Sequence, residues 1–317
     1  MSSSDVFPKK SGVVVIDGAL GTELEKLIEP SAPYLPSKSP LWSGQVLIDA
    51  PQLVKQVHQN YIEAGADLIL TSTYQASYAS LKKHTKLTDE QIHDVWQRSI
   101  DVVKEAKADS RKTDAIIAGS VGPYAAYLAN GSEYTGDYGN VTDDELVAFH
   151  KPLVGFFLKN NAVDVIIFET IPNFQEFRVV TRLMKELQSS RKPYFRSITC
   201  QNSDNLTDGT PLSTVRDYAD TNRGVGERKV LGINCVDYTL VPGIMDKFTG
   251  FGFYVYPNLG FQYDADAHQF IAKEGRSETS WKEFVQALSA NPDVVGIGGC
   301  CNTGVQEIKD IADVLKK

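Results

Sequence analysis

Long apolar runs are missing from this sequence. No window approaches the roughly 18 to 20 consecutive apolar residues that cross a bilayer. The first ten residues, MSSSDVFPKK, also lack the apolar stretch of a secretory signal. These absences argue against a membrane protein and against export, so the expected location is the cytoplasm.

An excess of positive charge is missing as well. The 317 residues include 32 Lys and Arg against 40 Asp and Glu, a formal net charge of -8. Nucleic acids and anionic membranes repel such a surface unless a local basic patch exists. The segment 81–86, LKKHTK, is better interpreted as a solvated helix face. The composition therefore predicts neither a nucleic-acid partner nor a membrane partner.

Cysteine is scarce, with four residues in the chain. In a reducing compartment so few cysteines predict thiols, metal ligands or nucleophiles rather than a disulfide framework. Cys200 shows no partner signal and is interpreted as a core residue. Cys235, Cys300 and Cys301 each follow an apolar run.

Eight short apolar runs predict eight β-strands. Most are apolar almost continuously, which is typical of strands covered on both faces of a parallel sheet. The runs are 13–17, 66–73, 115–122, 163–170, 194–199, 229–235, 252–257 and 293–299.

Segments with helical spacing separate most of these strands. Pro51 suits a first helical turn, and Thr142 followed by Glu145 predicts a capping box. The segments 211–222 and 241–248 carry weaker helical signals. The six clear helices are predicted over 51–65, 89–109, 142–160, 173–188, 280–290 and 304–317.

This alternation predicts a single (β/α)8 barrel of the TIM type, since a doubly wound open sheet of this length usually has fewer strands. We expect one domain over residues 1–317, with residues 1–12 as an N-terminal extension. The sequence leaves the oligomeric state open.

In a parallel barrel the loops that carry catalytic residues leave the carboxyl ends of the strands, so Cys235, Cys300 and Cys301 are expected at one mouth. Three thiolates suit zinc in a catalytic site, because the fourth tetrahedral position stays open. Gly298 and Gly299 would permit the tight backbone bend that a vicinal pair requires. Alternatively, Cys300 and Cys301 are small residues that fill a strand end, with Cys235 buried elsewhere.

Two acidic residues are expected at the same mouth. Asp17 ends the first strand and Glu169 the fourth. Asp17 could equally cap a helix that begins near Ala19. Paired carboxylates beside a metal, without basic neighbours, form a receptor for an ammonium group, so an amino-acid substrate is indicated.

Six segments resemble the zinc-dependent homocysteine S-methyltransferases, in the short single-domain type that uses S-methylmethionine or S-adenosylmethionine. The resemblance runs from about residue 13 to the end of the chain. The segments are DGALGTELE (17–25), GADLILTSTYQAS (65–77), GSVGPY (119–124), FETIPN (168–173), GINC (232–235) and GIGGCCNTG (296–304).

The resemblance implies a (β/α)8 enzyme in which Cys235, Cys300 and Cys301 hold zinc and the homocysteine sulfur takes the open position. It implies that Asp17 and Glu169 bind the homocysteine amino group. Zinc coordination would remove the thiol proton and leave a nucleophilic thiolate.

Four further residues are candidates for substrate binding. The resemblance places the backbone near Gly18 and the Thr73 hydroxyl where the amino acid would be held. Asn234 is expected to form hydrogen bonds near the metal, or to be purely structural. Trp42 could offer an aromatic face to a sulfonium cation, or could simply cover the core.

The expected reaction is methyl transfer from S-methylmethionine, with S-adenosylmethionine as a further donor, to homocysteine, which gives methionine. A sulfonium already carries a good leaving group, so alignment in a dry site is enough and no general acid is required. Glu133 and Asp137 could attract the donor's charge, but solvation of their loop is favoured. All five histidines are predicted in helices or exposed loops: His58, His84, His93, His150 and His268.

Three alternatives stay open. A betaine-type or other donor is possible within the same family. A zinc-dependent lyase or hydrolase would usually use histidine and carboxylate ligands, and three cysteines speak against it. A non-catalytic zinc-binding or thiol-binding barrel would be expected to lose the ammonium-binding pair, yet Asp17 and Glu169 are both present.

Overall fold

The structure is a computed structural model that describes residues 12–187, 192–222, 229–264, 269–272 and 279–316. The predicted N-terminal extension, apart from Gly12, lies outside the described residues, as does His268. None of the helices in the described ranges combines the length and the apolar composition that a bilayer span requires.

Eight parallel strands form the barrel, in the spatial order β1, β10, β7, β6, β5, β4, β3 and β2. A parallel bridge between Ile16 and Leu68 joins the first strand to the last and closes the ring. The predicted (β/α)8 fold and all eight predicted strands are confirmed. The strands are β1 (Val14–Val15), β2 (Leu68–Leu70), β3 (Ile116–Val121), β4 (Val165–Ile171), β5 (Tyr194–Ile198), β6 (Val230–Asp237), β7 (Gly252–Asn258) and β10 (Val294–Ile297).

Helices surround the barrel, and the six clear predictions are confirmed as α3, α5, α8, α9, α12 and α13. The weaker signals correspond to α10, a regular helix, and to the short α11. The described helices are α1 (Leu20–Leu27), α2 (Ser43–Asp49), α3 (Pro51–Ala64), α4 (Tyr78–His84), α5 (Asp89–Asp109), α6 (Tyr124–Leu128), α7 (Ser132–Thr135), α8 (Asp143–Lys159), α9 (Phe174–Leu187), α10 (Leu212–Thr221), α11 (Val241–Met245), α12 (Trp281–Ser289) and α13 (Val305–Leu315).

A small antiparallel hairpin, β8 (Phe261–Asp264) with β9 (Gln269–Ala272), follows the seventh barrel strand. The sequence did not predict it, because each strand has four residues of mixed polarity. Hairpin strands this short carry little periodic signal.

The predicted helix starts are confirmed where the structure tests them. Pro51 occupies the first turn of α3. Thr142 Oγ1 accepts from the Glu145 backbone N–H, and the Glu145 carboxylate accepts from the Thr142 backbone N–H at 2.8 Å. This reciprocal pair satisfies two backbone donors that the helix itself leaves open.

Large side chains fill the interior of the barrel beneath its mouth. The Phe195 and Tyr254 rings stack with centroids 4.3 Å apart. A Cβ on Gly296 would lie 2.5 Å from the Tyr254 ring, so only glycine leaves room for it. Tyr256, two residues after Tyr254 on β7, belongs to the same buried cluster and is almost fully buried. The interior is therefore a packed floor on which the mouth residues rest.

His58 is an isolated polar group in the outer core. It lies on α3, is 1% exposed, and neither ring nitrogen has a hydrogen-bond partner among the described residues. Burial lowers its pKa from 6.5 to about 3. Between these two values only the unfolded chain binds the proton, so stability is complete above pH 6.5 and falls as the pH decreases.

We predict that His58→Leu removes this acid sensitivity. The wild type should lose about 1.4 kcal/mol of unfolding free energy per pH unit below about pH 6.5. The unfolding free energy of His58→Leu minus that of the wild type should therefore be about 2 kcal/mol larger at pH 5 than at pH 8. Urea unfolding at both pH values measures this. His84→Leu, at an exposed position, is the control, and an equal pH response in both variants would contradict the assignment.

Candidate active site

Three cysteine sulfurs converge at the carboxyl end of the barrel. Cys235 lies near the end of β6, and Cys300 with Cys301 lies in the loop after β10. All three Sγ atoms lie within 4.8 Å of one another. The Cys235 and Cys301 sulfurs are 3.8 Å apart, and those of Cys300 and Cys301 are 3.9 Å apart.

This spacing suits a tetrahedral metal ion. With zinc–sulfur bonds of about 2.3 Å, the sulfurs of a tetrahedral site lie about 3.8 Å apart. Two of the three pairs already have this separation. The third pair, Cys235 and Cys300, forms a disulfide in the structure, whereas the sequence predicted thiols. The same convergence of the chain explains both arrangements, because the two Cα atoms are 5.5 Å apart.

The glycines before the cysteine pair serve close packing. A Cβ on Gly298 would lie 2.5 Å from the Ile16 Cβ, and one on Gly299 would overlap the Thr303 side chain. Neither glycine has a positive φ; among the cysteines and the loop that carries Cys300 and Cys301, the residues with positive φ are Cys235 and Asn302. The expectation that these glycines permit an unusual bend is therefore corrected: Gly298 permits close approach to Ile16, directly after β1, and Gly299 permits close approach to Thr303.

Asp17 follows β1 and does not cap a helix. The N-cap of α1 is Ala19, which makes no side-chain cap, and Asp17 Oδ2 accepts from the Leu70 backbone N–H at 3.0 Å. Its Oδ1 is buried and has no hydrogen-bond partner within the described part of the chain. Burial raises the pKa of Asp17 well above its usual value, and the charge of Glu169 adds to the rise.

Glu169 lies inside β4 and accepts a short hydrogen bond from the Ser120 hydroxyl. Burial raises its pKa to about 7, against the opposing effect of Ser120. Burial also raises the pKa of the Tyr256 phenol, and the charges of Glu169 and Asp17 raise it further. The structure thus groups two buried carboxyls around one phenol, so a cation that binds there would favour their ionised forms.

Asn234 forms hydrogen bonds that hold Thr170, the residue after Glu169. Its Oδ1 accepts from the Thr170 N–H at 2.9 Å and from the Ser197 hydroxyl at 2.6 Å, and its Nδ2 donates to Thr170 Oγ1 at 2.7 Å. Thr170 has a φ of 58°, which is strained for a β-branched residue. The side chain of Asn234 therefore holds a strained strand end, and its expected role near a metal stays a prediction.

The remaining predicted residues surround these groups. A Cβ on Gly18 would lie 2.8 Å from the Tyr61 hydroxyl. Thr73 is fully buried and donates its hydroxyl hydrogen to the Ser120 carbonyl at 2.6 Å, so it can only accept from a ligand. Trp42 is half-buried beside Gly21, at the start of α1. Cys200 is buried away from the other three cysteines, as expected of a core residue.

Comparison with known proteins matches the sequence to one family over nearly the whole chain. The profile of the family described as homocysteine S-methyltransferase covers residues 14–315. The chain belongs to the homocysteine S-methyltransferase family.

Named relatives align over similar lengths. The homocysteine S-methyltransferase YbgG of Bacillus subtilis is 32% identical and covers 97% of this chain and 95% of its own. The Escherichia coli homocysteine S-methyltransferase is 33% identical, with 94% of each chain covered. The metallated form of the homocysteine methyltransferase MmuM from E. coli superimposes with a TM-score of 0.77 at 29% identity, covering 98% of this chain and 99% of that one.

Tyr74 of this homocysteine S-methyltransferase escaped the sequence predictions, and Glu133, for which solvation of its loop was favoured, is half-buried. Burial raises the pKa of the Tyr74 phenol, and the nearby charge of Glu133 raises it further. Burial likewise raises the pKa of the Cys301 thiol to about 11, and Glu133 and Glu169 contribute in the same direction. Tyr74 directly follows a predicted strand end, and Glu133 lies between Gly131 and Gly136, which are the two signals that could have pointed to them.

We predict that Asn234→Ala destabilises this family member by about 3 kcal/mol, because it leaves buried groups of Thr170 and Ser197 without partners. Adding Thr170→Gly should recover about 1 kcal/mol, since glycine adopts a positive φ without strain. Urea unfolding of the single and double variants measures both effects.

The control is Asn205→Ala, whose side chain donates to Asn202 within its own turn. It should cost less than about 1 kcal/mol. Wild-type stability of Asn234→Ala would contradict the role assigned to Asn234.

Proposed function

We propose that this protein transfers a methyl group from a sulfonium donor to the thiolate of homocysteine, with zinc held by Cys235, Cys300 and Cys301, and thereby produces methionine. The observation that carries the proposal is the convergence of three cysteine sulfurs within 4.8 Å at the barrel mouth. Family membership and the metallated form of MmuM support it.

The donor set fits zinc. Three sulfur ligands leave one tetrahedral position for the sulfur of homocysteine. When bound, zinc would lower the pKa of the homocysteine thiol and keep it as a nucleophilic thiolate at neutral pH. A cytoplasmic location, which we also infer, would favour the thiol form of Cys235 and Cys300 that metal binding needs.

Asp17 and Glu169 would bind the ammonium group of homocysteine. The free Oδ1 of Asp17 is buried and lacks a partner in the described ranges, and Glu169 lies close enough for its charge to raise the pKa of Asp17. Two carboxyls that repel each other in a desolvated site gain a common counter-ion when an ammonium group enters. An amino acid with a free amino group is therefore the substrate class that this pair favours.

The surrounding residues would shape the pocket for the amino acid. The backbone at Gly18 can approach a ligand closely because no side chain projects from it. Thr73 Oγ1 could accept a hydrogen bond, while Asn234 would act by holding Thr170 and so the direction of Glu169. Trp42 would present its ring to the donor cation, an interaction of roughly 0.5 to 2 kcal/mol.

A sulfonium donor is compatible with the side chains available. The attacking thiolate forms the new sulfur–carbon bond while the donor's sulfur–methyl bond breaks, and the donor leaves as a neutral thioether. No proton has to be supplied in that step, so alignment and exclusion of water are sufficient. In the described ranges no barrel strand carries a histidine. We infer S-methylmethionine as donor, with S-adenosylmethionine as a further one, and a single catalytic domain.

The direct experiment measures methionine formed from homocysteine by the zinc-loaded protein. S-methylmethionine and S-adenosylmethionine are supplied in parallel, with betaine as a third donor and a chelated sample as control. Turnover that requires zinc and a sulfonium is expected. Turnover with betaine alone would replace the donor assignment, and one bound zinc without turnover for any donor would favour a binding protein.

We predict that Cys301→Ser loses zinc and turnover together while the barrel stays folded, because a serine hydroxyl is a poor zinc ligand and the cysteine lies at the mouth outside the packed floor. Zinc content per chain and a thermal melt measure the two effects separately.

Cys200→Ala provides the matched control, since Cys200 is buried in the core and lies apart from the cluster. It should keep zinc and turnover despite a modest loss of stability. Full turnover by Cys301→Ser would contradict the proposed role of zinc in methyl transfer.

A further inference from the structure

The chain directly after β1 supports the cysteine turn, which we define as residues 299–303. The Gly299 N–H donates to the Asp17 carbonyl at 3.1 Å, and the Ala19 N–H donates to the Thr303 carbonyl at 3.0 Å. These two hydrogen bonds lie at opposite ends of the cysteine turn. The segment that carries Asp17 therefore forms the surface against which the turn is folded.

Thr303 closes the cysteine turn. Its backbone N–H donates to the Cys300 carbonyl at 2.9 Å, and its hydroxyl donates to the same carbonyl at 2.5 Å. Thr303 is fully buried, and a Cβ on Gly299 would overlap its side chain. A contact that fixes Thr303 therefore also fixes the backbone of Cys300.

A tyrosine from the helical layer bonds to both sides of this junction. Tyr61 lies on α3 and is fully buried. Its hydroxyl donates to the Ala19 carbonyl at 3.0 Å, and it forms a second, longer hydrogen bond to the Thr303 carbonyl at 3.4 Å. A phenol has one hydrogen, so this hydrogen is shared between two carbonyls that belong to different loops.

Gly18 leaves the space that the Tyr61 hydroxyl occupies. A Cβ on Gly18 would lie 2.8 Å from the Tyr61 oxygen and 2.9 Å from the Thr303 carbonyl oxygen. Gly18 does not have a positive φ, so the close approach and not the backbone conformation requires glycine here. Three segments therefore meet closely at this point.

Helix α3 gives the Tyr61 side chain a fixed base. The helix packs against α1, α5 and α13, and the residues Val57 and Ile62 beside Tyr61 are buried as well. A close-packed environment leaves a side chain few alternative positions. The hydroxyl therefore reaches the junction with little conformational freedom to lose.

Neither carbonyl needs the phenol in order to be satisfied. The Ala19 carbonyl also accepts from the Glu23 N–H at 3.2 Å, and the Thr303 carbonyl accepts from the Ala19 N–H. The effect of the Tyr61 hydroxyl is therefore to join the two loops.

We propose that Tyr61 is a positioning residue for the metal site, whose hydroxyl holds the cysteine turn against the chain after β1 and so preorganises Cys300 and Cys301. This inference rests on the zinc site of the proposed function. Without the hydroxyl, the turn would sample other arrangements in the metal-free protein, and metal binding would have to restrict them.

The test compares Tyr61→Phe with Tyr138→Phe. Each change removes one hydroxyl from a buried tyrosine and keeps the ring. The Tyr138 hydroxyl donates to Glu176 Oε2 at 2.5 Å, a hydrogen bond that joins the β3–α8 loop to α9. Zinc affinity is measured on the full, metal-free chain under reducing conditions, in competition with a chelator of known affinity. A thermal melt of the metal-free chain measures stability.

We expect Tyr61→Phe to bind zinc about 10-fold more weakly, at the lower end of the range for losing a group that orients metal ligands. The barrel should stay folded, because both carbonyls keep a backbone donor. Tyr138→Phe should keep the wild-type zinc affinity within about twofold, since distant sites act independently. It should nevertheless melt at a lower temperature, because it loses a hydrogen bond to a buried carboxylate.

An unchanged zinc affinity in Tyr61→Phe would overturn the inference. An equal loss of affinity in Tyr138→Phe would overturn it too, because the effect would then follow general destabilisation. A wild type that binds no zinc would remove both this inference and the metal of the proposed function. A wild type that binds zinc but forms no methionine would contradict the proposed methyl transfer alone, and the measured affinities would still decide the role of Tyr61.

Discussion

Asp17 joins the closure of the barrel to the candidate site. Its backbone N–H donates to the Leu68 carbonyl at 3.0 Å, and its Oδ2 accepts from the Leu70 N–H, so it ties the end of β1 to β2. Its own carbonyl accepts from the Gly299 N–H at 3.1 Å, just before the cysteine pair. The remaining carboxyl oxygen faces no described partner. One residue thus closes the ring, positions the Cys300–Cys301 loop and leaves an acceptor for a ligand.

Backbone strain is concentrated at the same mouth. Thr170, Cys235 and Asn302 all have positive φ, and each adjoins or forms part of the carboxylate and cysteine groups. Such conformations cost about 1 to 3 kcal/mol each and persist only where the surroundings enforce them. Asn234 supplies part of that enforcement through three buried hydrogen bonds, one from β6 to Ser197 in the adjacent β5 and two to Thr170 in β4. The strained backbone conformations therefore lie at the positions that orient the side chains of Glu169 and Cys235.

Most of the architecture could be predicted because its signals are local. Eight near-continuous apolar runs identified the barrel strands, and Thr142 with Glu145 identified the start of α8. The β8–β9 hairpin was missed because its strands are short, and Gly298 and Gly299 were assigned the wrong reason. A side chain at Gly298 would clash with Ile16, which is distant in sequence. A side chain at Gly299 would clash with Thr303, which only the folding of the turn brings close. Contacts of that kind leave no periodic pattern.

By itself the sequence determined the alternation of strands and helices, the positions of Asp17, Glu169 and Cys235 close to the carboxyl ends of strands, and the chemical character of a site rich in thiols and carboxylates. Those properties follow from residue types and from the geometry of parallel barrels. Only the tertiary structure decided that Glu133 is half-buried while Asp137 is exposed. The two residues look alike in sequence. The loop that carries both is held by the buried Glu176, which accepts hydrogen bonds from the Tyr124 backbone N–H and the Tyr138 hydroxyl. Contacts between residues so far apart in sequence leave no local pattern.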